Sequence, residues 1–112
     1  MFEIRNYHYQ PEKFESYKKW AIDEAVPFLK ANLDIVGFWM NNNEAPQISG
    51  SSPMDMTIGS ANITWIIRWD SMEAREQGHK DVFSSEGWTA IWARHPDADG
   101  YLQMEAKFAD EY

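Results

Sequence analysis

A chain of 112 residues is the size of one domain, here taken as 1–112, with room for a single core that needs no metal or crosslink; the lack of cysteine excludes disulfides and thiolate chemistry. A formal net charge of -8 argues against nucleic acid as a partner, because phosphate backbones call for clustered Lys and Arg. No apolar run approaches the ~20 residues that span a bilayer, and no leader precedes Phe2-Glu3-Ile4, so the expectation is a cytoplasmic protein without membrane insertion.

Phe2 to Tyr9 alternates with period two and stops at Pro11, which predicts the first strand. From Pro11 to about Asn32 the period becomes helical, with Phe14, Tyr17, Ala21, Ala25, Phe28 and Leu29 on one stripe and Glu12, Lys19, Asp23 and Lys30 opposite. Pro11 suits the first turn, whereas Pro27 lies inside the pattern and predicts a kink near Asp23. Asp34 to Asn42 reads as the second strand. The stretch 43–60 is long for a connection in so small a domain, and its Met54 and Met56 predict that part of it folds back onto the protein or a partner subunit. Ala61 to Trp69 is the third strand; Asp70 or Ser71 can cap the helix that follows, with Glu73 in its first turn. Gly78 and Ser84-Ser85 are weak points in that helix, after which Trp88, Ile91, Trp92 and His95 restart a stripe. A turn at 96–100 leads to a fourth strand from Tyr101 to Phe108.

The order β-α-β-β-α-β predicts an α+β, ferredoxin-like domain: one antiparallel sheet, strand order 4-1-3-2, with the helices on one face. Hydropathy assigns Phe2, Ile4, Ile63, Trp65, Ile67, Trp69, Leu102, Met104, Ala106 and Phe108 to the helix-covered face. The uncovered face then receives Glu3, Arg5, Tyr7, Asn62, Thr64, Ile66, Arg68, Tyr101, Gln103, Glu105 and Lys107. On that face Glu3 can approach Arg68 and Arg5 can approach Glu105. This is either a cross-strand ion-pair network facing solvent or a second copy of the chain, or a place where Arg5 or Arg68 holds a carboxylate.

Aromatics make up 15% of the chain, with six tryptophans, a heavy load for one small core that suggests a pocket or interface as well. Asn6 and His8, assigned to the helix side of the first strand, stand near the expected convergence of Trp39, Trp65, Trp88 and Trp92. Those rings are either plain core or the wall of a small-molecule pocket. On the following helix, Met72, Glu76, His79 and Phe83 share a face. His79 with Glu76 is a candidate acid–base pair, or simply a satisfied polar pair.

"FEIRNYHYQPEKFESY", then "WIIRWDSMEARE" leading into "GW" and "IW", then "GYLQMEAKF" together resemble the NIPSNAP family, and the likeness covers nearly the whole chain. The resemblance implies the dimeric α+β barrel superfamily, in which two ferredoxin-like sheets pair face to face in a homodimer. It implies no particular reaction. Some superfamily relatives are cofactor-free monooxygenases or isomerases, and others bind or degrade haem through a His on the second helix. Here Trp88 falls near that position, with His79 and His95 displaced from it, so no haem and no other cofactor or metal is expected. The leading expectation is a homodimer that binds a small, partly apolar molecule between helices and sheet. A cofactor-independent monooxygenase or isomerase using His79 and Glu76 comes second, and a pure interaction module third.

Overall fold

In the computed structural model, which describes residues 1–55 and 57–112, four strands form one antiparallel sheet in the order β2-β3-β1-β4: β1 (Phe2–Tyr9), β2 (Ile35–Met40), β3 (Ile63–Arg68) and β4 (Tyr101–Ala109). The predicted fold class and strand order are those observed. Among the described residues no helix is long and apolar enough to cross a membrane.

The first helical connection is continuous but not uniform. A 3-10 turn at Pro11–Lys13 leads into α1 (Phe14–Trp20), a π-helical turn spans Ala21–Ala25, and α2 runs over Val26–Asn32. Pro27 has no N–H to give to the carbonyl four residues back, and the wide turn lies just before it, where the sequence predicts a kink. The extra residue in that turn keeps Trp20, Ala21, Ala25 and Leu29 all buried against the sheet.

After β3, Ser71 caps α3 (Met72–Phe83) by accepting from Ala74 N–H, and Ser85 caps α4 (Glu86–Trp92) by accepting from Trp88 N–H. Gly78 does not interrupt α3. A Cβ there would sit 2.6 Å from the Trp69 ring, so the glycine permits close packing of the helix on an indole. Gly100 plays the same part beside Tyr9, whose ring would lie 2.4 Å from an added Cβ and whose hydroxyl donates to the Asp97 carbonyl. In the long connection Met54 is exposed rather than folded back on the chain, and Met56 lies outside the described residues.

The register corrects the assignment of faces. Glu3, Arg5 and Tyr7 stand directly opposite Ile67, Trp65 and Ile63, and opposite Phe108, Ala106 and Met104 on the other flank. Opposed residues in an antiparallel ladder share a face, so Glu3, Arg5 and Tyr7 point toward the helices. Phe2, Ile4, Asn6 and His8 occupy the open face with Thr64, Ile66, Arg68, Gln103, Glu105 and Lys107. The apolar set of β3 is helix-facing as expected, and its ladder drags the polar residues of β1 in with it.

Candidate functional site

Helices and sheet enclose a partly open cavity of about 450 Å³. Its walls come from every layer: Arg5, Tyr7, Phe38, Trp65 and Tyr101 from the sheet, Tyr17, Trp20 and Leu29 from the first helical segment, His79 and Phe83 from α3, and Trp88 and Trp92 from α4. The aromatic part is held together by edge-to-face contacts, with Trp20 meeting Trp88 at 6.2 Å and Trp92 at 6.0 Å, and Phe83 meeting Trp88 at 5.1 Å. The Trp20 indole donates to the Ile91 carbonyl at 3.0 Å, which fixes α1 against α4.

Three of the four predicted pocket tryptophans are here. Trp39 is not: it pairs with Thr64 on the open face, is 51% exposed and lies over Gly37. Asn6 and His8 are also displaced to the open face, where Asn6 accepts from the Thr64 hydroxyl at 2.7 Å and approaches Glu105 at 3.5 Å. Trp20 and Phe38 are not among the pocket residues that the sequence predicts; Trp20 lies three residues after Tyr17 on the same face of α1, a spacing that could have found it.

Behind the polar wall formed by Arg5, Tyr7 and His79 lies Glu3, which is fully buried. Oε1 accepts from Trp69 Nε1 and Arg75 Nε, both at 3.0 Å, and Oε2 accepts from Arg75 Nη2 at 3.0 Å and Arg5 Nε at 2.7 Å. Burial alone would push this carboxyl up; the bonds from Arg75, Arg5 and Trp69 outweigh it and bring the pKa down to about 2. The dimer-facing network of Glu3, Arg5, Arg68 and Glu105 is therefore not the arrangement found. Glu3 and Arg5 belong to the interior, whereas Arg68 and Glu105 stay outside, Arg68 approaching Asp34 at 3.4 Å instead of Glu3.

Beyond Glu3, Arg5 donates through Nη1 to the Tyr7 hydroxyl at 2.7 Å, and its Nη2 lies 3.3 Å from His79 Nε2. Arginine has no acceptor, so His79 Nε2 is the acceptor and the ring proton sits on Nδ1. Burial, then the charges of Arg75 and Arg5, lower the His79 pKa and keep the ring neutral. Glu76 does not join this cluster. It is exposed, and the partner that sequence spacing offered His79 is replaced by Arg5.

His95, the other interior imidazole, sits 4.4 Å from the Trp20 ring and 4.5 Å from Trp92. Its Nδ1 accepts from Asp97 N–H at 3.0 Å, so Nε2 donates to the Tyr101 hydroxyl at 2.8 Å. Burial brings its pKa down to about 4. Among the described residues, no group of His, Asp or Glu has the arrangement to hold a metal ion.

Compared with solved structures, the chain is similar in fold to an uncharacterized NIPSNAP domain protein from Burkholderia xenovorans, with a TM-score of 0.71 at 16% identity over 99% of this chain and 93% of that one. A NIPSNAP family protein from Agrobacterium tumefaciens matches with a TM-score of 0.70 at 14% identity, covering 95% of this chain and 80% of that one. Another NIPSNAP family protein from Agrobacterium tumefaciens, with unknown function, matches with a TM-score of 0.68 at 20% identity, over 95% of this chain and 82% of that one. No family model and no curated protein matches the sequence.

Proposed function

We propose that this chain is a NIPSNAP-like cytoplasmic protein that forms a homodimer through its open sheet face and binds a small, partly apolar molecule between helices and sheet. The fold shared with solved NIPSNAP proteins supports the family reading, and the aromatic cavity of about 450 Å³ carries the binding reading. Such a volume lies within the range of small-molecule sites, and this one combines many rings with few convergent polar groups. The dimer reading is supported by an open face that carries Ile4, Ile66 and the exposed Trp39 with no helix over them.

Thermal shift assays with naphthalene compounds of both neutral and charged type test the binding reading. At least one is expected to raise the melting temperature, and Ala25→Phe, which fills the cavity from a buried position on its wall, is expected to abolish that rise. No shift with any of them would sink it. For the dimer, light scattering at micromolar concentration is expected to give twice the monomer mass, and a monomer would refute it.

A cofactor-independent monooxygenase or isomerase is the second reading, favoured by one observation: His79 reaches the cavity as a neutral ring, whose Nε2 becomes a base once a substrate displaces the Arg5 N–H from it. Loss of turnover with retained affinity in His79→Ala separates this chemistry from binding alone. The third reading, a module whose dimer surface is its whole function, gives the cavity no role.

A further inference from the structure

The polar wall of the cavity holds more hydrogen-bond donors than acceptors. The ionised Glu3 carboxylate lies behind that wall, against Arg5, and both its oxygens already receive two bonds each. Two guanidiniums, Arg5 and Arg75, share that one carboxylate, so the cluster retains one positive charge that, among the described residues, no other buried carboxylate offsets. The surplus falls on Arg5, because Arg75 takes the two-pronged contact and Arg5 keeps only its Nε bond to Glu3. The far end of Arg5 meets two neutral groups, the Tyr7 hydroxyl and His79.

Those neutral groups are left as donors too. The Tyr7 oxygen accepts from Arg5, which leaves its hydrogen to be given. His79 Nε2 is occupied by Arg5, which leaves Nδ1–H. Independently, Trp65, only 3% exposed and on the same wall, has a buried indole N–H that completes no hydrogen bond, with the Tyr7 hydroxyl, already bonded by Arg5, beside it and the Arg5 guanidinium 5.2 Å from its ring. A buried donor without a partner costs about 1–3 kcal/mol, and a buried charge without a counter-ion costs more. An acceptor-rich monoanion is the species that meets both demands at once.

We infer that the cavity takes a monoanionic aromatic acid, its carboxylate lodged against Arg5, Tyr7 and the Trp65 N–H and its ring among Trp20, Trp88 and Trp92. This rests on the binding reading above. It excludes cationic ligands, because an amine at this wall would face a guanidinium with every strong acceptor already occupied.

Calorimetric titration of the full chain with 1-naphthoate, with its neutral isostere 1-naphthamide, and with 1-naphthylmethylamine tests it. Naphthoate is expected to bind at least about tenfold more tightly than the amide, and the amine not measurably. Arg5→Met is expected to bring naphthoate within about threefold of the amide, because the acid loses a charge-assisted contact and the amide only a neutral one. Since that variant also strips a bond from Glu3, Tyr7→Phe is the second: it keeps the charge, removes one donor, and should weaken naphthoate at least about threefold and the amide by less. Equal affinities for acid and amide, a preference for the amine, or an acid preference that survives both substitutions each overturn the assignment while leaving a binding cavity. Silence from all three compounds, together with no thermal shift, overturns the binding reading itself.

Discussion

On β1 the helix-covered face carries Glu3, Arg5 and Tyr7, and the open face carries Phe2, Ile4 and Asn6. Judged by its own hydropathy the strand would be mounted the other way round. Its neighbours decide instead: Ile63, Trp65 and Ile67 of β3 are bound to the helix side by burial, and the ladder places Tyr7, Arg5 and Glu3 directly across from them. A central strand thus takes its orientation from register, and the apolar cost of exposing Phe2 and Ile4 is moved to a face that a second copy can cover. The difference also teaches where to look for chemistry. A buried carboxylate with two arginines is seldom the most stabilising way to fill a core, which directs attention to the cavity that Arg5, its partner, lines.

The sharpest way to break this comparison is to remove the interior carboxylate. Glu3→Gln leaves two guanidiniums facing each other without a counter-ion and is expected to cost about 3–5 kcal/mol in denaturant unfolding, whereas Glu105→Gln on the open face should stay within about 0.5 kcal/mol. Equal effects would mean the faces have been confused. Next in size, Ile63→Ala is expected to cost about 2–5 kcal/mol through cavity formation. Ile66→Glu, one strand position from the interior, should instead lower the dimer mass toward the monomer with little change in far-UV circular dichroism.

Acid titration sharpens the same contrast in time order. His95 has its folded pKa lowered to about 4 from an ordinary 6.5, so the unfolded chain binds its proton first and stability falls as pH drops from about 6.5 toward 4. His79 adds to the loss in the same direction. Glu3, lowered to about 2, keeps its charge through that window and contributes a second loss only below about 4.5. Melting temperatures followed across these two windows should show two declines, and His95→Gln should remove part of the first while sparing the second. The smallest effect is expected of Arg68→Ala, whose exposed pairing with Asp34 should be worth less than about 1 kcal/mol.

Much of this architecture was legible. All four strands were located, the first and last by period-two alternation; Asp70 or Ser71 marked the start of α3, where Ser71 is the cap, and Pro27 announced irregularity before it. Convergence of Trp65, Trp88 and Trp92 also followed from the predicted topology. Strand order was legible too; what escaped was which face each residue of β1 and β2 takes. The inward turn of Glu3 and Arg5 depends on register with β3, the outward turn of Asn6, His8 and Trp39 on the same ladder, and the choice of Arg5 over Glu76 as the neighbour of His79 follows from both. Spacing within one element cannot report on these, because the competing residues lie on different strands. Gly78 carries a similar lesson: its meaning came from the Trp69 indole above it, not from helix propensity.

The location of Glu3 also governs the order in which the chain can assemble. Its partners Trp69 and Arg75 lie 66 and 72 positions further along, and its strand is completed on the other flank by β4. Early hydrophobic collapse would therefore bring Glu3 into the centre paired only with Arg5 of its own strand, short of the two-pronged contact that Arg75 supplies once β3 and α3 close over it. Cooperative folding is the expected consequence, with long-range closure and completion of this cluster coinciding in one step.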